Sequence, residues 1–222
     1  MRKLFGEALG TFCLVFAGTG AIVIDDVTRG GVSHVGVGLT FGLIILAMIY
    51  ALGDVSGCHL NPAVTLGFFA ARRFDARWVL PYIASQCAGA VLASFTLHLM
   101  FLSHSTLGAT LPAGSDMQSF WLELVLTFML MFVILSVSTG PKEKGLLAGV
   151  AVGSVIALEA LFAGPISGAS MNPARSLAPA LVSAHFEHLW IYLTAPVAGA
   201  IAAVAAWRGI CDPSCCAPPD SV

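Results

Sequence analysis

The chain has 222 residues, 58% of them hydrophobic and 10% charged, with a mean hydropathy of +0.91 and a formal net charge of −2. A soluble domain carries about 25% charged residues, so these figures exclude a soluble enzyme, a disordered chain and a nucleic-acid binder. The 10 basic and 12 acidic side chains belong at loops or carry function.

A membrane-spanning helix needs roughly 20 mostly apolar residues. The first such run, about 4–24, follows Met1, Arg2 and Lys3 and could mimic a signal peptide. Glu7 and the lack of a clear cleavage site argue against that. Further runs follow at about 35–51, 78–101, 120–139, 146–163 and 189–206. Two shorter apolar stretches, about 61–70 and 172–181, cannot span and are predicted to be re-entrant half-helices. The fold class is therefore an all-α membrane protein with six transmembrane helices and two half-helices.

Six spans put Arg2, Lys3, Arg72, Arg73, Arg77, Lys142, Lys144 and Arg208 on one side. Arg29 alone falls on the other side, and Arg175 sits in the second half-helix. Basic loops stay cytoplasmic, so both termini are expected in the cytoplasm, in a cell or inner membrane. Cys13 and Cys87 lie within spans and are read as small core residues. Cys211, Cys215 and Cys216 lie in a Pro-containing tail, 209–222, that reads as unstructured and lacks a fourth metal ligand. No metal and no cofactor is expected.

Residues 55–68 read VSGCHLNPAVTLGF and residues 166–179 read ISGASMNPARSLAP, identical at six of fourteen positions. Asn61 and Asn172 are 111 residues apart, half the chain; Glu7 and Glu123 are 116 apart. The chain is thus two similar halves, about 1–110 and 111–208. Each half has three spans, an odd number, so the second runs in the opposite sense, as in an inverted repeat. The half-helices then enter from opposite faces, and their N-termini meet near mid-membrane.

Asn is a preferred N-cap, and Pro suits the first helical position. Asn61-Pro62-Ala63 and Asn172-Pro173-Ala174 are therefore two helix starts. Each presents free backbone N–H groups and the positive end of a helix dipole. Facing each other, they repel cations and protons. An Asn amide held by backbone still has an N–H to offer a passing oxygen. Irregular backbone before each Asn is tolerated at membrane depth only where it is packed in protein or lines a cavity. Glu7 and Glu123 are costly in mid-span, about 2.5–3.5 kcal/mol on insertion scales. Their expected role is to accept N–H bonds from those loops; a proton relay is the sharper alternative. His59 is expected beside the pore in the same support, with no second ligand at helical spacing for a metal.

Two NPA boxes, an inverted repeat and one Glu per half resemble the aquaporin, or major intrinsic protein, family, over the chain to about Trp207. The resemblance implies one channel domain, 1–208, in a right-handed bundle with one pore per subunit, assembled as a homotetramer in the lipid bilayer. It implies passive flux of water or small neutral solutes. It further implies a selectivity filter at Phe41, Ala160, Ala169 and Arg175. Water-selective members usually carry His where this chain has Ala160, so a wider, less polar constriction is expected. Glycerol facilitators commonly have Asp after the Arg, where Ser176 stands here. The stretch 161–181 instead resembles the nodulin-like intrinsic proteins and their bacterial relatives. That likeness implies glycerol, urea and metalloid hydroxides such as arsenous, boric or silicic acid, with water. The alternative is a mainly water-selective channel. From other classes, an ion-coupled transporter is opposed by the cation-repelling helix starts. An adhesive protein needs no filter Arg175, and an enzyme would need a motif such as HExxH or GxSxG, which is absent. Glu159 is expected in a buried structural contact, and Asp54 in a loop hydrogen bond.

Overall fold

Two Asn-Pro pairs and two glycines set where the helices break near mid-membrane. Gly57 and Gly168 end the preceding helices in the left-handed region, at φ 84° and 83°. Asn61 and Asn172 then cap the next helices, each with Pro at the first helical position. The computed structural model describes residues 1–138 and 146–210. Its helices are α1 (Arg2–Thr28), α2 (Ser33–Ser56), α3 (Pro62–Ala70), α4 (Ala76–Met100), α5 (Asp116–Ser138), α6 (Ala148–Ser167), α7 (Pro173–Ser183) and α8 (Leu189–Ile210). Six of them, all but α3 and α7, are long and apolar enough to cross a membrane. The expected end of the fourth span at Thr139 lies outside the described residues, as do Lys142, Lys144, Cys211, Cys215 and Cys216.

α1 extends beyond its apolar run through Asp25, Asp26, Val27 and Thr28, and α8 through Trp207, Arg208, Gly209 and Ile210. α4 starts where the Asp75 side chain accepts from the Arg77 amide at 3.0 Å. Packing follows the inverted repeat. α1 lies on α4 and on α2; α5 lies correspondingly on α8 and on α6. α2 and α6 face each other across the pseudo-axis. The half-helices are exchanged: α3 packs chiefly on α8, and α7 chiefly on α4.

The ends carrying the basic residues come together. Arg208 of α8 donates to the Ala70 carbonyl at the end of α3 at 2.6 Å. The Arg73 guanidinium lies 5.8 Å over the Trp207 ring.

Candidate functional site

The centre of the site is a reciprocal pair of amides. Asn61 Oδ1 accepts from the Ala63 amide at 2.8 Å, and Asn172 Oδ1 from the Ala174 and Arg175 amides at 3.0 and 3.3 Å. The capping oxygens therefore fix which way each Nδ2 points. Asn61 Nδ2 donates to the Met171 carbonyl at 2.7 Å, and Asn172 Nδ2 to the Leu60 carbonyl at 2.9 Å. Each half thus holds the loop of the other. Each amide nitrogen carries two hydrogens, so one per Asn remains for whatever occupies the cavity both residues line.

The loops before each Asn share one backbone course. Cys58, Leu60, Ala169 and Met171 all adopt positive φ, between 41° and 52°. Such a course points several amides to one side, and a carboxylate gathers them. Glu7 accepts from Ser56 Oγ at 2.7 Å, the His59 and Leu60 amides at 3.0 and 2.8 Å, and Gln86 Nε2 at 2.8 Å. Glu123 accepts from Ser167 Oγ and the Ser170 and Met171 amides, each at 2.8 Å. Both carboxylates are fully buried, so neither is a snorkelling end group. His59 Nδ1 lies 3.1 Å from Thr65 Oγ1, and its ring stacks on Phe68 with centroids 4.7 Å apart.

Phe41, Ala160, Ala169 and Arg175 line one cavity together with His59, Asn61 and Asn172. Its volume is about 50 Å³. At about 10–15 Å³ for each water-sized centre, that is room for a few water-sized molecules. A second, wider cavity of about 280 Å³ shares Phe41, Ala160 and Arg175 with it and continues past Asp25 and His34. These three residues therefore stand where the wide cavity gives way to the narrow one. Arg175 is 2% exposed; its Nη1 donates to the Gly108 carbonyl at 2.8 Å, and its Cζ lies 5.2 Å from the Phe41 ring centroid. A cation over an aromatic face holds both groups to the wall. Gly18 lies behind Phe41, where any side chain would run into the ring.

A family model described as Major intrinsic protein matches residues 1–207. The chain belongs to the major intrinsic protein family. It is 50% identical over 209 residues to Aquaporin NIP1-1 of Oryza sativa subsp. japonica, covering 94% of this chain and 74% of that relative. It is 44% identical to Nodulin-26 of Glycine max, covering 91% of this chain and 75% of the relative. An X-ray structure of the aquaglyceroporin from Plasmodium falciparum superposes with a TM-score of 0.84 at 28% identity, covering 94% of this chain and 96% of that one. As a member of this family the protein is an aquaporin-type channel and not an enzyme.

Several residues of this major intrinsic protein site went unread in the sequence. Tyr82 donates to the Ser56 carbonyl at 2.8 Å, and Tyr192 to the Ser167 carbonyl at 2.7 Å. The signal was present: 82–91 reads YIASQCAGAV and 192–201 reads YLTAPVAGAI. Gln86 and the Gly108 carbonyl have no such counterpart. Asp54 departs from its expected loop bond: it is exposed on the last turn of α2, and its carboxylate has no hydrogen bond among the described residues. There the loop amides are already taken by Glu7 and Ser56. Glu159 is buried as expected, but neither carboxylate oxygen has a hydrogen-bond partner among the described residues.

Proposed function

We propose that the channel passes small neutral solutes, namely glycerol, urea and metalloid hydroxides such as arsenous, boric or silicic acid, together with water, and excludes protons and ions. The observation that carries this is the make-up of the constriction. One aromatic face, two methyl groups and one guanidinium form a wall that is apolar on three sides and donating on the fourth. A polyhydroxylated molecule can lay its carbon or metalloid face on Phe41, Ala160 and Ala169 while its oxygens accept from Arg175. Deeper in, the spare N–H of Asn61 and of Asn172 donates to the same oxygens in turn.

Ion exclusion follows from charge. Arg175 and the N-termini of α3 and α7 set a positive potential along the file, which opposes cations. Protons are opposed by the same field, and a water that accepts from both Asn amides has no lone pair left to take a proton from its neighbour. Anions lose their hydration in an otherwise apolar tube, which opposes them as well. The aquaporin and aquaglyceroporin names of the relatives support the coarser part of this reading, a channel for water and small solutes. We further propose a homotetramer of 1–208 with one pore per subunit, both termini and the 209–222 tail facing the cytoplasm.

Stopped-flow light scattering on proteoliposomes tests the solute range. Glycerol, urea, boric acid and arsenous acid should all enter faster than in empty liposomes. Ala160→His refills the constriction and should cut glycerol entry by about tenfold or more while water flux persists. Water flux with no solute flux in the wild type would overturn the reading in favour of a water-selective channel.

A further inference from the structure

The loop between α4 and α5 lies over the constriction, and one histidine shapes it. The Gly108 carbonyl provides the only hydrogen bond of the Arg175 guanidinium among the described residues; Arg175 Nε has none. The turn before Gly108 decides where that carbonyl points. Leu107 and Gly108 are both left-handed, at φ 51° and 73°. Leu107 is fully buried, and a side chain at Gly108 would press into Thr19 of α1. The Leu107 amide donates to His104 Nδ1 at 3.0 Å, and His104 Nε2 lies 3.2 Å from Asp26 Oδ2 at the end of α1. A backbone N–H only donates, so Nδ1 accepts and carries no proton. The proton of the neutral ring is then on Nε2, directed at Asp26.

We infer that His104 is a positioning residue for Arg175: its unprotonated Nδ1 holds the turn that brings the Gly108 carbonyl to the guanidinium, which couples solute selectivity to pH. The inference rests on reading Arg175 as part of the constriction. A protonated imidazole donates from both nitrogens. Asp26 is a partner for either form, so the Leu107 side decides what changes. There two N–H groups come to face each other, the turn loses its acceptor, and the Gly108 carbonyl is freed to withdraw. Arg175, without its anchor, is free to swing across the passage, which obstructs glycerol more than water.

The charged groups around the ring leave Asp26 as its partner. On α1, Asp25 Oδ1 is occupied by the Val32 and Ser33 amides, and Arg29 is exposed beyond the helix end. On α4, His98 lies in the last turn. On α7 the charge is Arg175 itself, beyond Gly108.

The test is the ratio of glycerol to water permeability in proteoliposomes, with equal pH on both sides. For the wild type the ratio should fall about tenfold or more from about pH 8 to about pH 5, the loss of one hydrogen bond to a charged group. His104→Asn sets an amide oxygen where Nδ1 was, so it should keep the high ratio at both pH values. His104→Gln reaches Asp26 but offers Leu107 nothing, so it should show the low ratio at both. Arg175→Val should shift the ratio at pH 8 and remove its pH dependence. A flat wild-type profile, or an acid drop retained in His104→Asn, overturns the positioning role while Arg175→Val still shifts the ratio. A wild-type ratio in Arg175→Val at pH 8 overturns the constriction reading, and this inference with it. Should the His104 variants fail to insert, the wild-type profile and Arg175→Val decide between these outcomes.

Discussion

Glu7 and Glu123 meet four and three hydrogen-bond donors, so each buried carboxylate is matched by amides that would otherwise be orphaned. Glu159 is as deeply buried, on the face of α6 that also carries Val152, Val155 and Ala163, and has no donor for either oxygen among the described residues. A polar group buried without a partner costs about 1–3 kcal/mol. Glu159→Leu keeps a similar volume and removes that cost. It should therefore raise thermal stability in detergent by on the order of 1–3 kcal/mol. A lower unfolding temperature, read by tryptophan fluorescence, would show that Glu159 has a partner in the folded protein.

At the scale of helices, glycine sets the distance of closest approach. Gly89 of α4 lies against the Ala8 carbonyl of α1, and Gly199 of α8 against the Leu124 carbonyl of α5. These contacts are the same one in the two halves, since Glu7 and Glu123 precede Ala8 and Leu124 directly. The neighbouring atom is backbone in both cases, so nothing flexible can give way. Gly89→Val and Gly199→Val should each destabilise by about 1–3 kcal/mol or more, read as the temperature of aggregation in detergent. They should do so similarly; a large cost at one glycine and none at the other would break the equivalence. Much of this architecture was legible in advance. The Asn-Pro-Ala boxes announced two helix starts because capping is a local property of a few residues. The two glutamates announced their loop because an unpaired acid in a span demands donors. The tyrosines, Gln86 and Gly108 were harder to read. Their partners are backbone carbonyls or distant side chains, and no local pattern records which carbonyl a chain will present. Glu159 illustrates the opposite limit: its burial was readable, its lack of a partner was not.

At the scale of the whole molecule, six helices are long and apolar enough to cross a membrane, and the proposed topology returns the chain to the side on which it began. Arg208 on the Ala70 carbonyl and Arg73 over Trp207 tie that end together. Reporter tags placed before Arg2 and after Val222 should accordingly be protected, or exposed, together in intact cells; opposite accessibility would require an odd number of crossings. The exchanged half-helices carry a consequence for how the protein is made. Leu60 offers its carbonyl to Asn172, and Asn61 its amide hydrogen to Met171, in a part of the chain about 110 residues downstream. At ribosomal speeds of about 5–20 residues per second, the first half waits on the order of ten seconds for its counterpart. During that interval the Asn61 amide and the Leu60 carbonyl have no counterpart, and water or a translocon must satisfy them. The pore lining therefore closes only once the second half-helix has been made, and newly inserted chains depend on whatever shelters the first half-helix until the second arrives.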